Sequence, residues 1–471
     1  MEASGGDADT RGVSGGLGIT LEQVRLGLTV IRHFVISMLF DPDSGYPSAP
    51  SRRRALQAAA SLGVLPLGAV VPWVDAAPLA FAPAVFDVHA DRALIWLSAN
   101  AELRVHVRWG LTPDALMQKS AELLLDKPRD FTGHVALHGL PAGTTVHFRA
   151  FVDDKALPDS GHFKTPRKAG QSFVLGFSGD MEEKYKPFRI FDTMVAAKLD
   201  YFVHLGDTVY ADVPKREFAP TLSHYRRKHA NIRADRSLQA FMSQCVIYAI
   251  WDDHEIENDA HGGLTQLPVA EQVFREYWPC ASVEKTGLYR AVNLAPEVDL
   301  IIVDTRRFRS VQGMADGPEK TMLGTQQKLW FLDQLKQSKA TFKIVATSVP
   351  FHGSSQDAWG NYRTERDEII AFIKTERISN VVMISADYHF ARDWSNKRTG
   401  IHEYVAGPLG TFRTFERTPE ARARHSNGSH FVFGDDFNFG LLTYDGKLNS
   451  LSISYRDSAG KVLFDSMIAA T

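Results

Sequence analysis

The chain contains only two cysteines, Cys245 and Cys280, in 471 residues. So few exclude a disulfide scaffold and a zinc cluster built from cysteines. Cys245 opens an apolar run, CVIYAIW, and reads as a buried thiol, with a single Cys245–Cys280 bridge left as the alternative. An excess of one charge sign is also lacking. The formal net charge is -2, so no global basic field directs the chain to nucleic acid, and no nucleic-acid-binding surface is expected. The basic runs Tyr225–Lys228 and Arg422–Arg424 read as solvated faces. There is no long uninterrupted hydrophobic run in residues 1–50. Residues 20–40 are apolar but carry Arg25, Arg32 and His33, which argues against a membrane span. No internal repeat is found. What remains is an ordinary globular composition, 44% hydrophobic and 23% charged, long enough for two or three domains.

The first eighty residues read as an address. Residues 1–18 are rich in Gly, Ala, Ser and Asp and lack the apolar content to fold. Then Ser51-Arg52-Arg53-Arg54-Ala55-Leu56-Gln57 precedes AAASLGVLPLGAVVPWV. Paired arginines ahead of a moderately apolar run resemble a twin-arginine export signal, and Asp75-Ala76-Ala77 offers small residues for cleavage. The arginines lie past residue 50, which suggests Met38 as the true start. The expectation is a disordered or over-extended segment at 1–50, a signal at 51–80, and an exported protein (periplasmic, cell-surface or secreted) that uses the twin-arginine machinery.

From Ala84 to Thr165 the pattern is short runs of period two, including VFDVHADRALIWLSA, ELRVHVRWG and TTVHFRAFVDD. These predict a β-sandwich over 81–166, and GLPAGTTVHFRA followed by GHFKTP resembles the end of a fibronectin type III-like module. After a short linker, strands and helices alternate through 171–471. Strands are predicted at 173–177, 201–205, 245–251, 300–304, 342–347 and 381–385, and helices at 188–198, 222–231, 325–336 and 365–376. Apolar strands between amphipathic helices imply a parallel or mixed sheet covered on both faces, an α/β (α+β) architecture. The tail, 431–468, returns to a β pattern and reads as hairpins added to a sheet edge.

The chemistry lies at the carboxyl ends of the strands. FVLGF leads to Ser178-Gly179-Asp180, YFVHL to Gly206-Asp207-Thr208-Val209-Tyr210, and CVIYAIW to Asp252-Asp253-His254-Glu255. LIIV leads to Asp304-Thr305-Arg306, and VVMIS to Ala386-Asp387-Tyr388-His389. A single aspartate at a strand end is commonly a helix N-cap, and Asp304 and Asp252 are read as caps or as orienting groups. Several like charges at one sheet edge repel one another, and a bound cation resolves that. Oxygen ligands with one or two imidazoles suit Fe, Mn, Zn or Ca.

In this order GD-x-x-Y, WDDHE, DTR and DYH-x-x-x-DW resemble the PhoD-type alkaline phosphatases, a branch of the calcineurin-like metallophosphoesterases, from about Phe173 to the carboxyl end. The resemblance implies a metallophosphoesterase sandwich of mixed sheets flanked by helices, preceded by the small β domain. It also implies a centre of two or more metals, iron(III) with calcium or else manganese or zinc, that hydrolyses phosphate mono- or diesters. By motif position Asp207 bridges the metals. Asp180, His389 and Tyr210 complete one site, with Tyr210 a phenolate ligand to ferric iron as in the purple acid phosphatases. Asp253 and Asp387 belong to the other site. His254 stabilises charge or protonates the leaving oxygen, and Arg306 is a candidate phosphate ligand. Two positions depart from the family. Aspartate stands at 180 where cysteine is usual, and Thr347 and Ser348 stand where a metal-binding histidine is expected, with His352 a weak substitute.

The expected mechanism is attack by a hydroxide held between cations about 3.5–4 Å apart. Proton donation by His254 would contribute about a hundred- to ten-thousand-fold in rate. The chain is read as a monomer acting on a phosphate ester. The alternatives are a non-catalytic metal-binding cell-envelope protein on the same fold, and a serine esterase or sulfatase-like hydrolase. Against the last, Ser178 has no obvious base beside it.

Overall fold

The computed structural model describes residues 79–281, 287–394, 399–426 and 429–468. The expected extension and all but the last two residues of the expected signal segment lie outside the described residues. No described helix is long and apolar enough to cross a membrane.

Two large sheets carry the molecule. The first has nine strands, in spatial order Val462–Ile468, Ser450–Asp457, Asn438–Asp445, Phe173–Ser178, Tyr201–His204, Val246–Ala249, Ala84–Phe86, Arg92–Ser98 and Thr132–His138. Its centre is parallel: Val203 registers with Phe177 on one side and Tyr248 on the other. The second has seven strands, in order Arg290–Ala295, Val298–Ile302, Phe342–Ala346, Val381–Ser385, His402–Val405, Ala391–Asp393 and Phe431–Phe433. Val298–Ile302 through His402–Val405 run parallel. Parallel neighbours deliver their carboxyl ends to one edge, the edge where ligands bind in open α/β sheets.

Alternation along the second sheet explains the layering. Leu300, Ile302, Ile344, Ala346, Val382 and Ile384 share a core with Phe177 and Val203 of the first sheet. The intervening Ile301, Val303, Val345 and Met383 pack with Phe331, Leu335, Ile369 and Ile373 of helices Gly324–Gln337 and Arg363–Thr375. Both faces of each strand are therefore apolar, as the near-continuous hydrophobic runs predict. On the first sheet, Phe191, Met194 and Phe241 of helices Ile190–Ala196 and Arg236–Met242 join that shared core.

The β segment is distributed differently from the expected sandwich. Leu103–Gly110, Gln118–Lys119, Leu123–Leu125, Thr145–Val152 and Lys155–Lys164 form a separate five-stranded sheet. Ala84–Phe86, Arg92–Ser98 and Thr132–His138 instead extend the nine-stranded sheet, with Val85 registered on Val246. Ala84–Phe86 is buried along its whole length, and pairing it with Val246–Ala249 satisfies an edge that would otherwise be exposed. Within the tail, Asn438–Asp445, Ser450–Asp457 and Val462–Ile468 form the expected hairpins, with Asn438–Asp445 antiparallel to Phe173–Ser178, whereas Phe431–Phe433 pairs with Ala391–Asp393 in the seven-stranded sheet. Helices Arg236–Met242 and Leu267–Tyr277 and strand Arg290–Ala295 are additions to the elements expected from the sequence pattern. In Leu267–Tyr277 the signal is hidden by Pro268, which reads as a breaker but sits in the first turn, where its missing N–H has no partner to lose. Both cysteines are free, Cys245 fully enclosed.

Candidate metal centre

Three of the strand ends hand over their carboxylates through tight backbone turns. Asp180, Asp207, Asp387 and His389 all adopt positive φ, at 70°, 50°, 66° and 55°. Such left-handed conformations are costly for residues with a Cβ and concentrate at functional sites. Two glycines make room. Gly206 has φ 109°, and a Cβ there would lie 2.5 Å from the Asp252 Cβ. Gly407 has φ 140°, and a Cβ there would lie 2.6 Å from Asp180 Oδ2.

Glu255 ties two of the turns together. This buried carboxylate accepts from the Thr208 N–H at 2.6 Å, the Asp207 N–H at 3.2 Å and the Asp252 N–H at 2.9 Å. Asp304 is an orienting group of the same kind. It accepts from Trp251 Nε1 at 2.8 Å and from the backbone N–H groups of Leu288, Arg306 and Arg307, each at 3.0 Å. Asp252 accepts from Ser348 Oγ and Arg306 Nε, both at 2.6 Å.

Two clusters with ligand atoms in reach of one another share Asp207: Asp180, Asp207 and His389, and Asp207, Asp253 and His254. Asp387 lies with Asp252 and Asp357 in a third, and Asp253, Asp259 and Asp357 form a fourth. Tyr210 joins the first, its hydroxyl 3.0 Å from His389 Nε2, which lies 3.5 Å from Asp180 Oδ1. The predicted metal residues thus converge on one edge, around a cleft of about 430 Å³ lined by Asp207, Tyr210, Asp253, His254, Asp387 and His389.

The donor set fits cations. Asp180 Oδ2 and His389 Nδ1 are buried without a hydrogen-bond partner, a costly state for protein alone. Burial, together with Asp253, Asp252, Glu255 and Asp180, pushes the Asp207 carboxyl well above its usual range. Burial and neighbouring carboxylates, Asp357 foremost, do the same to Asp387. The Tyr210 phenol is raised by burial and by Asp207 and Asp180. In each case uncompensated negative charge opposes ionisation, and a cation reverses that.

His254 stacks on Tyr210, ring centroids 4.1 Å apart, and its Nδ1 lies 2.7 Å from Asp212 Oδ1. Burial lowers its pKa, but Asp253 and Asp212 outweigh this and raise it to about 9. Asp212 fixes the ring and leaves Nε2 without a hydrogen bond among the described residues.

Arg306 does not line the cleft. Its side chain is fully buried, with Nε on Asp252, Nη1 2.9 Å from Asp357 Oδ1, and Nη2 on Asp357 Oδ2 and 4.0 Å from Asp253. Its fork is spent on carboxylates beneath the site rather than turned toward a phosphate. Asp357 escapes sequence reasoning, because the loop SSQDAWG carries no motif. Burial raises its pKa, but Arg306 and Arg309 prevail and hold it well below the carboxylate range. Asp212 stands in the string YFVHLGDTVYAD, two residues beyond Tyr210, but nothing local ties it to His254. His352 is no substitute metal ligand: it is held by Glu403, with Nδ1 3.0 Å from Oε2.

Comparison with known proteins identifies the family and the fold. The family model described as PhoD-like phosphatase matches residues 173–451. Alkaline phosphatase D of Bacillus subtilis (strain 168) is 24% identical over 416 residues, covering 72% of this chain and 71% of its own. A solved structure of PhoD superposes with a TM-score of 0.72 at 19% identity, covering 85% of this chain and 94% of that one, and shares the fold. The chain belongs to the PhoD-like phosphatase family, enzymes that hydrolyse phosphate esters with the help of metal ions.

Proposed function

We propose that the cleft is a two-metal centre acting on phosphate mono- or diesters, with Asp207 as the ligand common to both cations. The observation that carries this reading is the position of Asp207 in two ligand clusters at once. Asp180, His389 and Tyr210 would hold the first cation. Phenol, imidazole and carboxylate donors suit iron(III), with manganese or zinc as substitutes. Asp253 and Asp387 would hold the second in an all-oxygen setting suited to calcium, with Asp357 and Asp259 close enough to add oxygens. When bound, the cations supply Lewis-acid polarisation of the phosphoryl group and lower the pKa of the attacking water.

The protein's own part rests on its hydrogen bonds. His254 Nδ1–H donates to Asp212, which sets the ring so that Nε2 delivers a proton to the leaving oxygen. The His254 backbone N–H donates to Asp207 Oδ1 at 3.2 Å and fixes that carboxylate. Arg306 acts from below as a positioning residue. It balances Asp252, Asp253 and Asp357 so that ligand carboxylates can lie close together. The arginine-bearing segment ahead of residue 80 supports export by the twin-arginine route to the periplasm, cell surface or medium.

The test is metal analysis together with assays on p-nitrophenyl phosphate and bis-p-nitrophenyl phosphate. Asp207→Asn should lose bound metal and turnover of both esters together. Full activity in Asp207→Asn would remove the bridging role, and wild-type protein with neither metal nor turnover would return the chain to the non-catalytic reading.

A further inference from the structure

A second chamber, about 720 Å³, opens beside the metal cleft, and Asp357, Asp387, His389 and Phe412 line both. His254, the proposed proton donor, lines the cleft and not this chamber. The chamber's far wall has a chemistry of its own. Tyr388, Trp394 and His425 present rings, and Arg392 and Arg424 supply positive charge. The Arg392 guanidinium stacks 3.7 Å from the Trp394 ring centroid and donates to Ser429 Oγ, so the indole is held in place. Trp394 and Tyr388 are only half-buried, and Arg424 is exposed on helix Pro419–Ser426 with no ion pair among the described residues. Burial, with Arg392 and Arg424, lowers the His425 pKa. The carboxylates of the chamber, Asp357 and Asp387, stand on the metal side.

In an in-line displacement the attacking and leaving oxygens are apical, and a substituent that stays on phosphorus is equatorial. With the leaving oxygen toward His254, that substituent projects sideways from the line of attack and not toward the proton donor. We infer that the second chamber receives the retained arm of a phosphodiester and selects an arm bearing a planar ring and an anionic group. This rests on the metallophosphoesterase reading above. In the step itself water oxygen bonds to phosphorus, the bond to the departing alkoxide breaks with proton transfer to it, and the retained arm leaves as its phosphate monoester. Stacking on half-buried rings contributes about two- to tenfold in affinity, and pairing with an exposed arginine at most about fivefold.

The test holds the leaving group constant. Metal-loaded enzyme is given 4-nitrophenyl diesters whose retained arm is 4-carboxyphenyl, phenyl or cyclohexyl, and nitrophenolate release is followed, with 4-nitrophenyl phosphate alongside. The expected order of kcat/KM is carboxyphenyl above phenyl above cyclohexyl, with a first step of about two- to fivefold and a second of about two- to tenfold. Arg424→Gln should lower the carboxyphenyl-to-phenyl ratio about two- to fivefold, and Trp394→Leu should lower the phenyl-to-cyclohexyl ratio. A flat ranking in the wild type, or ratios unmoved by both variants, overturns the inference. Calorimetric titration of the metal-free protein with 4-hydroxybenzoate separates the two readings. Failure of every ester, the monoester included, with binding that weakens in Arg424→Gln, overturns the enzymatic reading and sustains the chamber. No binding, or equal binding by wild type and Arg424→Gln, overturns the chamber.

Discussion

Replacing Arg306 by leucine separates two roles that the DTR motif alone does not distinguish. A residue that binds substrate phosphate from the cleft would lose affinity for the ester and little stability. The structure puts Arg306 elsewhere: fully buried, Nε 2.6 Å from Asp252, its fork on Asp357, and Nη2 4.0 Å from Asp253. Each close charge pair represents about 4 kcal/mol at 4 Å for an effective dielectric near 20, most of it offset by desolvation. Removing one partner of such a buried network leaves the carboxylates uncompensated and costs about 3–5 kcal/mol. That is a large part of the about 5–15 kcal/mol that holds a typical domain folded. The assay is urea unfolding of wild type, Arg306→Leu and Arg306→Lys, each with chelator and with metals restored. Arg306→Lys should fall between the others, because an ammonium keeps charge but loses the planar fork. The loss in Arg306→Leu should be greater in chelator, where Arg306 and Arg309 are the cations that face Asp357. A stability loss below about 1 kcal/mol, accompanied by a tenfold rise in KM, would refute the positioning role and restore the phosphate-ligand reading.

Three further outcomes are expected. In metal-free protein Asp207 and Asp387 have raised pKa values, and Asp252 and Glu255 are raised by burial to about 7. A folded pKa above the unfolded one contributes stability at low pH that is lost as pH rises through it. The melting temperature in chelator should therefore fall between about pH 4 and pH 7 and beyond, and added metal should flatten that slope; an equal slope with and without metal would count against the site. Gly407→Ala places a Cβ 2.6 Å from Asp180 Oδ2 at φ 140°, so bound metal measured by mass spectrometry should drop while the far-UV spectrum is retained. Tyr210→Phe removes the phenol 3.0 Å from His389 and should abolish any visible charge-transfer absorption; an unchanged spectrum in an active enzyme would demote Tyr210 as an iron ligand.

How much of the site is legible in the sequence differs from residue to residue. Asp180, Asp207, Asp253, Asp387 and His389 each come after an apolar run, and a strand end facing a sheet edge is a local property. The central strands and four helices are readable for the same reason, with ends shifted by a residue or two. Arg306 shows where this stops. Its spacing after LIIV is visible, but the direction of its side chain depends on Asp357 and Asp252, 51 and 54 residues away. Asp212 and its partner His254 both stand in motif-bearing stretches, yet their hydrogen bond spans 42 residues.

The amino-acid sequence by itself therefore determined the strands, their acidic termini and the metal-binding character of the edge, because periodicity and residue type act over a few neighbouring residues. Tertiary structure alone decided which carboxylates share Asp207, that Arg306 turns inward, that Ala84–Phe86 leaves its own segment to pair with Val246–Ala249, and that a second chamber adjoins the cleft. Each of these depends on sheet pairing or loop placement across tens to hundreds of residues, where burial and charge balance select the partner.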